Sequence, residues 1–145
     1  MNRTAKPRRY AEGTRVPVDA SRAELEKLLV KHGATSFGVY REPARWVVVF
    51  QLASRFVRHV IDVPQKASRA APDPEREVRR KWRALVLITK AKLELIVGGD
   101  SSVEREFLAD TVLAEGGTVY EATREQIAAS YAQGVTPRLL GAGAP

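Results

Sequence analysis

The stretch "EREVRRKWRALVLITKAKLELIVGG", residues 75–99, constrains this chain more than any other. Asp73 as N-cap, Pro74 at the first helical position, and Glu75 and Glu77 in the first turn predict where a helix begins. Gly98 and Gly99 predict where it ends. Val78, Trp82, Leu85, Thr89, Leu93 and Ile96 form an apolar seam at helical spacing, and Ala84, Ile88, Ala91 and Leu95 form a second. Two apolar seams on one helix predict neighbours on both sides along residues 84–97.

Residues 1–9 carry Arg3, Lys6, Arg8 and Arg9 with no acid and no apolar pattern, and are read as a flexible basic arm. "TRVPV" (14–18) reads as a short extended piece limited by Pro17 to an edge or a strand end. "SRAE" is a capping box, with Ser21 as N-cap and Glu24 three residues on, opening a helix whose stripe is Leu25, Leu28 and Leu29 and whose stop is Gly33. A three-stranded meander follows: "TSFGVYR" (35–41), "RWVVVFQL" (45–52) and "RFVRHVIDV" (55–63). "PQKASRAAPDP" (64–74) has the composition of a mobile loop. Beyond the long helix, "SSVEREFLADTVL" predicts a helix capped by Ser101 or Ser102. "AEGG" marks a turn, and "TREQ" (123–126) predicts a second capping box on a helix ending at Gln133. Leu139 and Leu140 are expected to pack back on the core, with 141–145 as a tail.

The 145 residues fit one domain, here 10–140, and a hydrophobic fraction of 44% is ordinary for a globular chain. With no cysteine, disulfides and thiolate metal sites are excluded. "WVVVF" and "ALVLI" are too short to cross a bilayer, and no signal-peptide run follows "MNRTAKPRRY". An intracellular protein without membrane association is expected.

The net charge of +7 is unevenly placed: Arg41 to Lys92 carries +8, and Glu94 to the end carries −5. Such asymmetry points to a basic face for a polyanion. Arg79, Arg83, Leu87, Lys90 and Glu94 fall on one line of the long helix, and Arg80 adds to its cationic end. Arg45, Arg55 and Arg58 on the meander are expected to extend that surface, the whole set acting as phosphate ligands. Trp46 and Tyr40, beside arginines at a turn, are the candidate stacking groups. The competing reading is a solvated face on a buried helix, with the aromatics in the core.

Catalysis has little support. His32 and His59 are not paired by spacing, and Glu106 and Asp110 sit four apart on a predicted helix without the strand-borne acid and Glu-x-Lys segment of a metal nuclease. No zinc-finger, RNA-recognition or Gly-rich phosphate-loop signature is present, so no catalytic residue, metal ligand or cofactor is assigned.

"YAEGTRVPVDASRAELEKLLVKHGA", "RRKWRALVLITKAKLELI", "EFLADTVL" and "IAASYAQGVTPRLL" resemble, in this order, segments of a widespread bacteriophage protein family of unknown function. The resemblance covers most of residues 10–140 and implies a phage or prophage origin and a place in the host cytoplasm. It carries no catalytic residues. The chain departs from the family where Asp110 replaces an aromatic or His, and where "AEGG" replaces a turn resembling Pro-Asp-Gly.

Together these readings predict an α+β domain: a helix, a three-stranded antiparallel meander, a long central helix packed on the sheet, and a helical C-terminal part. The function expected is non-enzymatic nucleic-acid binding, single-stranded DNA favoured, in phage replication or recombination, with homo-oligomers raising avidity. The alternative is a protein-binding module acting on a host or phage machine, or on another copy of the chain. A metal-dependent nuclease ranks third.

Overall fold

A computed structural model describes residues 7–138. The element order is α1 (Val18–Lys31), β1 (Ser36–Arg41), β2 (Arg45–Leu52), β3 (Arg55–Asp62), α2 (Pro74–Val97), the single turn α3 (Val103–Glu106) and α4 (Val119–Gln133). This is the α+β arrangement expected, with strand order β1-β2-β3 and both pairings antiparallel.

Alternation along the strands sorts the sheet into two faces. Phe37, Val39, Trp46, Val48, Phe50, Leu52, Val57 and Ile61 face α1 and α2 and build the core with Leu25, Leu29, Trp82, Val86 and Leu93. Trp82 is fully buried and meets Trp46 edge-on, centroids 5.6 Å apart. Phe50 and Phe107 repeat the same geometry at 5.6 Å. The opposite face carries Tyr40, Arg45, Val47, Val49, Phe56, Arg58 and Val60, and among the described residues no helix lies flat on it.

The long helix starts where expected: Asp73 accepts from the Arg76 N–H and Pro74 fills the first turn, where its missing N–H costs nothing. Its first seam is buried. Its second is not, contrary to the expectation of neighbours on both sides: Ile88 is 53% exposed, Leu95 45%, and Ala91 is exposed.

Other local readings are corrected. The helix α1 begins at Val18, with Pro17 at its N-cap, so "TRVPV" contributes no strand and Ser21 lies inside the helix. Val18 packs against the core, which draws the helix start four residues upstream. Glu24, freed from any capping box, pairs with Arg83 instead. The helix predicted from Ser102 lasts only one turn, because Asp110 and Val112 leave it to bond the edge of β3. The second capping box is not "TREQ". Thr118 and Glu121 form it, and Thr123 is buried within α4. Arg9, assigned to the arm, is tied to Glu77 at 3.0 Å, while residues 1–6, Leu139, Leu140 and the tail lie outside the described residues. Among the described residues no helix is long and apolar enough to cross a membrane.

Candidate functional site

The seven expected phosphate ligands do not form one surface. Arg45 and Arg58 stand on the open face of the sheet, with α2 and its cations on the other side of it. Arg55 closes the β2–β3 turn. A continuous helix-plus-sheet surface is therefore not what the fold builds.

Most of these cations are also engaged. Arg45 meets Glu42 at 2.5 Å, and Arg58 holds Glu121 at 3.0 Å and the Gly116 carbonyl at 2.9 Å. Arg55 faces Glu104 at 4.0 Å, Arg80 holds Glu77 at 2.8 Å, and Arg83 holds Glu24. The shared hydrogen bonds with Arg80 and Arg9 hold the Glu77 carboxyl below its ordinary range against its burial. Among the described residues, Arg79 and Lys90 alone of the seven make no ion pair. The open sheet face sets Arg45 and Arg58 against Glu42, Asp62 and Glu121, leaving it no positive excess for a polyanion.

The stacking candidates divide. Tyr40 is 62% exposed on the open face, its ring leaning over Gly38. Trp46 is on the packed face, between Trp82 and the guanidinium of Arg41, and offers no open platform. Phe56 is 50% exposed on the same face as Tyr40. Its even position in β3 was the available signal, because it shares a parity with Arg58.

His59, unpaired by spacing, approaches Asp110 at 3.3 Å across the edge of β3. Glu106 does not join Asp110: it accepts from the Ser101 hydroxyl at 2.6 Å. No group of three His, Cys, Asp or Glu able to hold a metal ion occurs among the described residues.

What the chain does build is a groove of about 720 Å³ between α2 and the free part of β3, lined by Tyr10, Ile61, Arg80, Lys81, Ala84, Ile88 and Ala91 among others. The edge of β3 is partly used. The Arg58 N–H donates to the Asp110 carbonyl at 2.9 Å, and the Val112 N–H to the Phe56 carbonyl at 2.8 Å. At the far end Lys81 Nζ donates to the Asp62 carbonyl at 2.9 Å. Between them Val60, which shares the outward parity of Phe56 and Arg58, has no backbone partner on its outer side among the described residues. Ala84, Ile88 and Ala91 of the second seam line the α2 wall of this groove, and Leu95 continues the seam beyond it.

No protein-family model, curated protein or solved structure matches the chain.

Proposed function

We propose that this chain is a non-enzymatic protein-binding module whose docking surface is the groove between α2 and the edge of β3. One observation carries the reading: Ala84, Ile88, Ala91 and Leu95 repeat at helical spacing, yet Ile88 and Leu95 stand about half in water. Scattered exposed apolar residues need no explanation, but an ordered seam beside an apolar groove marks an interaction surface. Polar groups at the groove's end, Arg80 and Lys81, suit the rim of such an interface. A photo-crosslinking residue at Ile88, introduced in cells that express the chain, is expected to give a discrete protein adduct. The same residue at exposed Lys27 on α1 is expected to give none, and equal behaviour at both positions would remove this reading.

A second reading keeps nucleic acid as the ligand but moves its site. Two guanidinium groups close on Gly13, where an added Cβ would stand 3.3 Å from Arg8 Nη2 and 3.8 Å from Arg76 Nη2. Neither makes an ion pair among the described residues, and Arg79 lies one turn from Arg76 on the same helix. A phosphate chain across Arg8, Arg76 and Arg79 gives salt-sensitive, sequence-blind binding. Gel shifts with single- and double-stranded oligonucleotides over a salt series test it. Charge reversal at Arg76 and Arg79 should abolish retention, and retention unchanged by that reversal counts against the site.

A further inference from the structure

Resting on the docking reading above, we infer that the occupant of the groove is a second copy of this chain, joined through antiparallel pairing of the two α2 helices about a dyad between residues 89 and 90. The order of sizes along the exposed seam is small, large, small, large: Ala84, Ile88, Ala91, Leu95. Turned about that dyad, each large side chain meets a small one, Leu95 against Ala84 of the second copy and Ile88 against Ala91. The seam is thus complementary to its own reverse, which a two-fold interface requires. A parallel pairing in register sets Ile88 against Ile88 and Leu95 against Leu95, and leaves the alanines facing gaps.

Charge favours the same direction. Arg80, Leu87 and Glu94 run along one flank of the seam at steps of seven. The dyad keeps that flank on the same side in both copies and reverses it, carrying Glu94 toward the Arg80 end of the other helix. Asp100, just past the helix end, arrives level with Arg80 by the same operation. The acidic end of one α2 therefore overlies the cationic end of the next. Ala84 and Ala91 let two backbones approach closely, as helix packing on small residues allows.

The absence of cysteine makes the test clean. Sedimentation of the wild-type chain over a concentration series is expected to show a dimer. Ile88→Asp and, independently, Leu95→Asp are expected to raise its dissociation constant roughly a hundredfold. Both side chains are half-exposed in the single chain, so unchanged thermal unfolding of the dilute variants excludes misfolding as the cause. Under mild oxidation a mixture of Ala84→Cys and Leu95→Cys chains is expected to give a mixed disulfide. Ala84→Cys alone gives none, because its two copies lie about 16 Å apart along the axis. A wild-type chain that stays monomeric, a dimer that survives both Asp variants, or efficient cross-linking of Ala84→Cys with itself overturns the inference. The adduct at position 88 separates this failure from that of the docking reading. An adduct of twice the chain mass supports the second copy, one with a different protein removes it while the groove stands, and no adduct removes both.

Discussion

Arg58 on the open face of the sheet donates to both carboxylate oxygens of Glu121, at 3.2 and 3.0 Å. The backbone N–H of Thr118 also reaches that carboxylate, and this bond first, then Arg58, holds the Glu121 carboxyl below its ordinary range. Thr123 is the one residue of α4 that is buried, so this knot at the first turn is a principal tie between α4 and the sheet.

Releasing the knot should therefore loosen α4 before it unfolds the domain. Glu121→Gln is expected to speed amide exchange along Val119–Gln133 while leaving the melting temperature nearly unchanged, since exposed ion pairs contribute little to global stability. Uniform acceleration across the sheet would show that α4 is a structural part of the core. The sign with pH follows from a lowered carboxyl: the contribution is present above the ordinary value and is lost as pH falls through the folded one.

Glu77 makes the same argument in a buried setting. Its carboxyl joins Arg80 at 2.8 Å and Arg9 at 3.0 Å, and the Arg80 hydrogen bonds dominate in holding it below the ordinary value of 4.5. Glu77→Gln is expected to cost about 2 kcal/mol at neutral pH. The wild-type advantage should shrink as pH falls below that ordinary value, and denaturant melts at neutral and acid pH check it. An advantage that grows in acid would reverse the sign.

Ser21 offers a gain. Its hydroxyl is fully buried with no partner among the described residues, inside α1 rather than at its cap. Ser21→Ala removes an unsatisfied group and improves helix propensity, so stability should rise by about 1 kcal/mol in a denaturant melt. A loss of that size would reveal a partner for the hydroxyl.

The β2–β3 turn offers another. Ala53 and Ser54 both take left-handed φ, 47° and 59°, a conformation that favours Asn and Gly. The double change Ala53→Asn, Ser54→Gly is expected to add about 1 kcal/mol, read as a higher melting temperature. A lower one would mean the turn is held by other contacts.

The strands, the long helix and their order were legible because each carries its signal within a few residues: the β-branched run of β2, and Asp73-Pro74 at the head of α2. The caps of α1 and α4 were not. "SRAE" and "TREQ" have the right letters, but Val18 packs on the core and Thr123 is buried inside α4 behind the Thr118–Glu121 box, and packing outranks a local cap. The charge map was legible and its meaning was not. Arg58 and Glu121 lie 63 positions apart, and Arg83 and Glu24 lie 59 apart, so no local pattern announces their pairing. The second seam was seen in full. What sequence does not say is whether its cover comes from the same chain.

That cover is most directly measured by thiol labelling of Ala91→Cys and Lys27→Cys, each the single cysteine of its chain. In the dilute isolated protein both positions are exposed and should react at similar rates. In cells the cysteine at 91 should react at least about tenfold more slowly than the one at 27, because a bound polypeptide shields it. Equal rates in cells would mean that nothing occupies the seam, and the docking account would be contradicted.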